Sequence, residues 1–572
     1  MDRVWRGKHQ NYFALKLIGL SLSALLCSIV LFSLTSPVYA AMLSVNDALG
    51  VDSGDCTITP CKTIGYALTQ ANNGDSIIIA SGHYTENLDV NKNITLSGAG
   101  ASTTFISGKN VFNRVIWVRS FSSVTISGVT IQKGIGGINN SGVLTLANSI
   151  VFSNTLEMGN CGGVGNNGVA VIINSTIKDN QAVHAGGICN YGALEIYNSE
   201  VIGNLGDQTG AIENSGVMTI TNSQINGNIS RVSVAGAILN YGTMAISDTV
   251  IQQNSADSYG GGIYSLGKGV LHNVWFESNR GLAGGALCNA GTLTIDGSTL
   301  ISNTAWHGGG IFSGDPMTMT NTTIANNSAR YYGGGVANGG VLTIINSTIN
   351  DNQSLTGGGI YSSRFSTLTV SASAIISNTA TGTGAGITIS GTGAITNVTI
   401  SGNVAQSFAG GIENGGRITL TNVTINNNRV IASNGKAASI FSGGFPDSFI
   451  RMMNTIVATN EQIENCRVEL GLGIISAGDN LSNDATCSLT ANKDRVNTNP
   501  FLAPLAKNGG TTLTHALMPN SPAINSGNAI GCPSEDQRGF SRPHGARCDI
   551  GAFEFQGAFP FEYRLPQIFR VE

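Results

Sequence analysis

Between Gly134 and Asn428 the apolar and polar positions follow one phrase, written twelve times. In one copy, Gly186-Gly187-Ile188-Cys189-Asn190-Tyr191-Gly192 leads into Leu194-Glu195-Ile196-Tyr197-Asn198-Ser199 and closes on Val201-Ile202-Gly203-Asn204. The anchoring aliphatic recurs at Ile138, Val164, Ile188, Ile212, Ile238, Ile263, Leu287, Ile311, Val336, Ile360, Ile387 and Ile412, spaced 24 to 27 residues apart. A fixed period of this length marks a solenoid or array. Within each copy apolar residues alternate at period two, as in Leu144/Leu146 and Leu342/Ile344, and no copy holds a helical i, i+3, i+4 run. Such short runs, broken by Gly and Asn, are strand signals. The Leu-x-x-Leu-x-Leu frame of leucine-rich repeats is missing. The pattern therefore predicts an all-β chain wound into a parallel β-helix, three short strands per coil. Only stacking coils about 4.8 Å apart buries the inner face.

Polar columns ride on the same period. Each copy closes on Asn, from Asn154 through Asn279, Asn303, Asn327 and Asn352 to Asn428. A second column lies two residues after the anchor (Asn140, Asn166, Asn190), and a third six before the closing Asn (Asn148, Asn174, Asn198). Asn tolerates the left-handed backbone of a sharp bend, and identical amides one coil apart can hydrogen-bond up the stack. Asn279, Asn303, Asn327 and Asn352 are accordingly expected to form a structural ladder at one bend.

The Gly-Gly-x-Ile and apolar-x-x-Asn pair resembles the repeats of bacterial polymorphic outer membrane proteins. These belong to the right-handed parallel β-helix (pectin-lyase-like) superfamily, and the resemblance covers roughly residues 60 to 460. Five segments follow: 1–40, a signal peptide; 41–133, an N-terminal cap and first irregular coils; 134–460, the regular repeats; 461–556, a C-terminal module; and 557–572, a tail. In the second, Ile64, Ala67, Leu68 and Ala71 share one face of a short helix, and Ser76–Ala80 reads as a strand. A cap of this kind keeps the first coil from exposing an unpaired edge. In the fourth, Asn499-Pro500-Phe501, Asp536-Gln537-Arg538-Gly539 and Cys548-Asp549-Ile550-Gly551-Ala552-Phe553-Glu554 closely resemble the choice-of-anchor Q module of bacterial surface β-helix proteins.

Composition narrows the function. Charged residues make up 11% of the 572, the net charge is −4, and the body holds no basic cluster, so nucleic acid is not the expected partner. Arg3, Arg6, Lys8 and Lys16, the apolar run Leu17–Leu34 and Val38-Tyr39-Ala40 follow the order of a secretory signal cleaved before Ala41. The expected protein is secreted or held at the cell surface, with no membrane span after cleavage. Cys56 and Cys61 are close enough to pair in an oxidising compartment. Cys466, Cys487, Cys532 and Cys548 allow three pairings, of which Cys466–Cys487 and Cys532–Cys548 suit the C-terminal module. Cys161 has no evident partner, and Cys189 and Cys288 share a column four coils apart, so these three are expected as free thiols.

The β-helix resemblance implies two functional classes: non-catalytic stalks or adhesins, and polysaccharide lyases or hydrolases. Cleavage needs paired carboxylates, or acidic clusters for Ca²⁺. No two acidic residues between Gly134 and Asn428 share a repeat position on neighbouring coils; Glu213 and Glu413 share one eight coils apart, Asp179 and Asp351 another seven apart. The expected role is a non-catalytic stalk or adhesin-like binding protein, with a carbohydrate-active enzyme as the alternative. No catalytic residue, metal ligand or cofactor is assigned. Aromatic residues gather just before the Gly-Gly bend at Tyr259, Trp306, His307, Tyr331 and Tyr332. Trp306-His307 and Tyr331-Tyr332 hold matching places on adjacent coils, a candidate face for polysaccharide or cell-surface glycan.

Overall fold

Each repeat closes into one coil. In the coil that starts at Ile188, Ile188–Asn190, Ala193–Tyr197 and Glu200–Ile202 are successive strands. Each pairs in parallel with its counterpart one coil on, Ile188 with Ile212, Leu194 with Met218 and Val201 with Ile225. Stacking produces three sheets of 16, 18 and 17 strands, here called the anchor, long and third sheets. The result is a right-handed parallel β-helix of about 16 turns. To these three strands many coils add a fourth on the way back to the anchor sheet, two residues long at Thr155–Leu156 and five at Ser328–Tyr332. The computed structural model describes residues 40–109, 114–156, 159, 161–432, 435–460 and 463–557. The expected signal segment, up to residue 39, and the tail beyond residue 557 lie outside these. Among the described residues no helix is long and apolar enough to cross a membrane.

Period-two alternation sets the interior. Ile188, Leu194, Ile196 and Val201 point inward and are at most 1% exposed, each contributing roughly 1.5–3 kcal/mol by burial. Between the anchor and long sheets the bend is so tight that a Cβ on Gly192 would lie 2.0 Å from the Gly168 carbonyl oxygen.

The closing Asn residues point inward and ladder. Asn303 donates from its backbone N and from Nδ2 to Asn327 Oδ1, at 2.9 and 3.0 Å, and Asn327 does the same to Asn352. Asn279 likewise donates to Asn303. The left-handed backbone, however, is not theirs. It belongs to the residue just before (Ser153, Asp179, Gly203, Asp351) and to the column six before (Asn148, Asn174, Asn198). The chain turns one residue early so that the closing side chain can reach the next coil. This also accounts for Asp179 and Asp351 sharing a repeat position: both are bend residues.

At the N-terminal end the helix Ile64–Gln70 buries Ile64, Ala67 and Leu68. Glu86 accepts from the first two helical N–H groups, and Lys92 Nζ donates to the Leu68 and Ala71 carbonyls, matching the polarity of the helix ends.

At the other end the coils continue through Leu481–Ser482. The chain then folds back along the outer side of the third sheet. Leu502–Ala506 and Thr514–Leu517 form an antiparallel hairpin there. Asn397 Nδ2 donates to the Glu535 carbonyl, Asn422 Nδ2 to that of Asp549 and Asn454 Nδ2 to that of Asn528. Ile456, Leu481, Ala503, Leu517, Ile550 and Phe553 form an apolar cluster at its base. Two ion pairs, Asp536–Arg538 and Arg542–Glu554, are buried in the returning segment.

Among the described residues four disulfides are present: Cys56–Cys61, Cys161–Cys189, Cys466–Cys487 and Cys532–Cys548. The second corrects the expectation of three free thiols, leaving Cys288 as the free cysteine among the described residues. Comparison within one column misses this bridge. Cys161 sits beside Ala185 on the return connection, and the corner folds it against Cys189 in the anchor sheet of the next coil.

Candidate functional site

The middle residue of each anchor-sheet strand lies on the outer side. Paired coil by coil, this column reads Tyr264, Cys288, Phe312, Ala337, Tyr361, Thr388, Glu413. The return connection runs beside it, bringing Tyr259, Ala283, His307, Tyr332 and Thr356 into a second parallel column. The two columns meet at a corner, where the aromatic rings collect.

Tyr332 stands between His307 and Tyr361, with ring centroids 5.3 and 4.6 Å away and interplanar angles of 16° and 28°. Tyr331 stacks on His307 at 5.6 Å and meets Trp306 edge-on at 6.0 Å. The Arg330 guanidinium lies 5.2 Å from the centres of both Trp306 and Tyr331, within cation–π range. Trp306 is 45% exposed and Tyr332 40%. Because neighbours cover both faces of Tyr332, that ring offers solvent its edge, and Trp306 is the more open surface. Tyr259, also 40% exposed, stacks on Tyr264 at 5.3 Å but is separated from His307 by the coil bearing Ala283. The five candidates thus fall into a continuous group of four and an outlier. Tyr264, Arg330 and Tyr361 escaped the sequence reading. For Tyr264 and Tyr361 the signal was Ile-Tyr-Ser at 263–265 and 360–362, a repeat position whose side chain faces outward.

Burial shapes the electrostatics. It lowers the proton affinity of His307 and, with Tyr332 and Glu413 nearby, raises that of Tyr361. Glu413 continues the column past Tyr361; burial raises its carboxyl above the usual range, and Thr388 donates to it at 3.0 Å. Glu213, its counterpart eight coils away, is 7% exposed, with its carboxyl likewise raised by burial and His184 Nδ1 3.6 Å away. Eight coils span roughly 38 Å at the usual strand spacing, whereas carboxylates that cleave a glycosidic bond together stand about 5–10 Å apart. Among the described residues no three His, Cys, Asp or Glu side chains come together as a metal site. A shallow depression of about 430 Å³, lined by Tyr241, Leu266 and Lys268, lies away from the aromatic row.

No protein-family model and no curated protein matches the chain. Solved structures similar to it include two lyases and an epimerase. The alginate lyase AlyGC is 14% identical, with 73% of this chain and 78% of that one covered and a TM-score of 0.26. For the pectate lyase Pel9A the values are 12%, 90%, 96% and 0.20. For the A-module of the Azotobacter vinelandii mannuronan C-5 epimerase AlgE4 they are 13%, 76%, 92% and 0.18.

Proposed function

We propose that this chain is an exported, non-catalytic β-helix that binds glycan at the corner between its anchor sheet and return connection. One observation carries the reading: Trp306, His307, Tyr331, Tyr332 and Tyr361 form a row of partly exposed rings on successive coils, with Arg330 beside them. Trp306 supplies a ring face for the apolar side of a sugar, and the tyrosine edges and guanidinium supply hydrogen-bonding groups. Four disulfides fit an oxidising, extracellular setting. The resemblance to polymorphic outer membrane protein repeats and to a choice-of-anchor Q module supports a surface stalk or adhesin-like protein.

Affinity electrophoresis against a polysaccharide panel tests the reading. Trp306→Ala with Tyr332→Ala should abolish retardation by the bound glycan and leave thermal unfolding unchanged, since neither ring belongs to the inner core. Equal retardation of variant and wild type would make the row scaffold only. The enzymatic alternative has one observation in its favour, the raised carboxyl of Glu413 beside Tyr361. Glu413→Gln should lose any cleavage of the same panel if that alternative holds.

A further inference from the structure

The C-terminal hairpin is held in two different ways along its length. At its base the apolar cluster of Ile456, Leu517, Ile550 and Phe553 excludes water. Towards its tip it is hydrogen-bonded to the sheet. Thr511 bonds to Asn346 and Thr512 Oγ1 donates to the Ala372 carbonyl, while Gln537 of the later segment accepts from Thr399 Oγ1 and donates Nε2 to Thr512 Oγ1 and the Leu513 carbonyl. The covered face is largely polar: Thr399, Ser401 and Asn426 are buried there, with Ala374 and Ile376 in the same outward columns one coil earlier. Upstream, Gln224 and Trp275 hold the same outward position as Thr399 and are exposed. Lifting the tip would expose hydroxyls and amides that water satisfies, together with the small apolar surface of Ala374 and Ile376, without opening the coil interior.

His515 sits at the centre of this polar contact, 3% exposed. Its Nδ1 lies 2.8 Å from the Ala503 carbonyl oxygen, which can only accept, so Nδ1 carries the proton. Nε2 then accepts from Ser401 Oγ at 2.9 Å and Asn426 Nδ2 at 3.3 Å. The docked ring is neutral, with both nitrogens engaged. A second proton on Nε2 would face the Asn426 Nδ2 donor, force the Ser401 hydroxyl to turn, and place a charge without a counter-ion in a dry contact.

We propose that the hairpin tip, residues 507–513 with His515, is an acid-released latch over the third sheet. Burial lowers the affinity of His515 for a proton, opposed by the Ala503 carbonyl, and no charged side chain contributes to that balance. The groups facing it from the packed strands are Ser401, Asn426 and Ala503, none of which titrates. Of the segment's charged groups, Lys507 belongs to the tip and Arg538, paired with Asp536, reaches it by donating Nη1 to the Asn508 carbonyl at 2.8 Å; the Arg542–Glu554 pair and Asp549 belong to the later part. Asp549, pushed up to about 7 by burial and by Glu554, acts in the opposite sense. The folded chain holds its proton more tightly than the unfolded one, so acid strengthens the base while it loosens the tip. A detached His515 binds its proton near the ordinary value of about 6.5. Opening takes up a proton, so its equilibrium rises by up to about tenfold per pH unit below that value.

Hydrogen exchange on the full chain between pH 7.5 and 5.0, corrected for intrinsic rates, tests this. Amides of residues 506–516 should open by that factor, reversibly, while anchor-sheet amides stay protected. His515→Gln should remove the pH response. Ser401→Ala, which removes a donor to the unprotonated Nε2, should move release to higher pH. Equal corrected exchange at both pH values, or the same acid response in His515→Gln, overturns the proposal. Should that variant already be open at pH 7.5, an unchanged release pH in Ser401→Ala overturns it.

Discussion

Replacing Asn327 by Leu removes one rung of the inner ladder. In the folded chain its side chain makes four hydrogen bonds. Nδ2 donates to the Leu300 carbonyl at 2.9 Å and to Asn352 Oδ1 at 3.0 Å, while Oδ1 accepts from the backbone N and Nδ2 of Asn303. Not all of these partners are left stranded. Asn352 Oδ1 keeps the backbone N–H of residue 327, and Asn303 Nδ2 keeps the Phe276 and Ile301 carbonyls. Two buried main-chain groups lose the partners named here: the Asn303 N–H and the Leu300 carbonyl. At about 1–3 kcal/mol for each orphaned group, the gross loss is about 2–6 kcal/mol, and the extra apolar burial of Leu returns part of it. A net destabilisation of about 2–4 kcal/mol is expected, concentrated at the two coil interfaces that flank residue 327 because a solenoid is stabilised by nearest neighbours. Urea unfolding measures the total, and hydrogen exchange at Asn303 and Asn327 locates it. The control is Asn222→Gly in the exposed column, where Asn222 donates to Asn198 and φ is 47°. Glycine keeps that backbone without strain, so the change should stay within about 0.5 kcal/mol. An Asn327→Leu protein as stable as wild type, or an equal loss in the control, would refute an inward, energetically dominant ladder.

Two further outcomes concern cysteine and carboxylate chemistry. Denatured, unreduced protein beginning near Ala41 should titrate one thiol, Cys288, and two if Cys27 is retained. In the native state that thiol should resist alkylation, being 2% exposed and pushed up to about 12; a count of three would deny the Cys161–Cys189 bridge. Glu213→Leu copies Leu239, its neighbour one coil on, and removes a buried carboxyl whose Oε2 has no hydrogen bond. Because folding raises this carboxyl's proton affinity, its contribution is most favourable below the ordinary value of about 4.5 and is lost as pH rises through the folded value. The variant should therefore gain about 1–2 kcal/mol at pH 7.5 and little at pH 4, and a gain independent of pH would contradict the assignment.

What the sequence by itself determined is whatever repeats at fixed distance along the chain. Strand interiors such as Leu194 and Ile196, the coil length and the vertical alignment of Asn303 over Asn327 all follow from a period near 25 and an alternation of two. In a stacked coil, equal spacing in sequence becomes adjacency in space. Contacts that cross from one column to another have no such rule. Cys161 reaches Cys189 because the corner angle folds two columns together, and Tyr361 joins Tyr332 for the same reason. The return of the C-terminal segment onto Asn397, Asn422 and Ser401 was equally invisible. Those residues read as ordinary members of exposed columns, and only the three-dimensional path of a non-repeating segment decided that they would be buried. Tertiary structure alone also decided the surroundings of His515, since nothing near it in sequence reveals that a hydroxyl, an amide and a carbonyl will meet its ring.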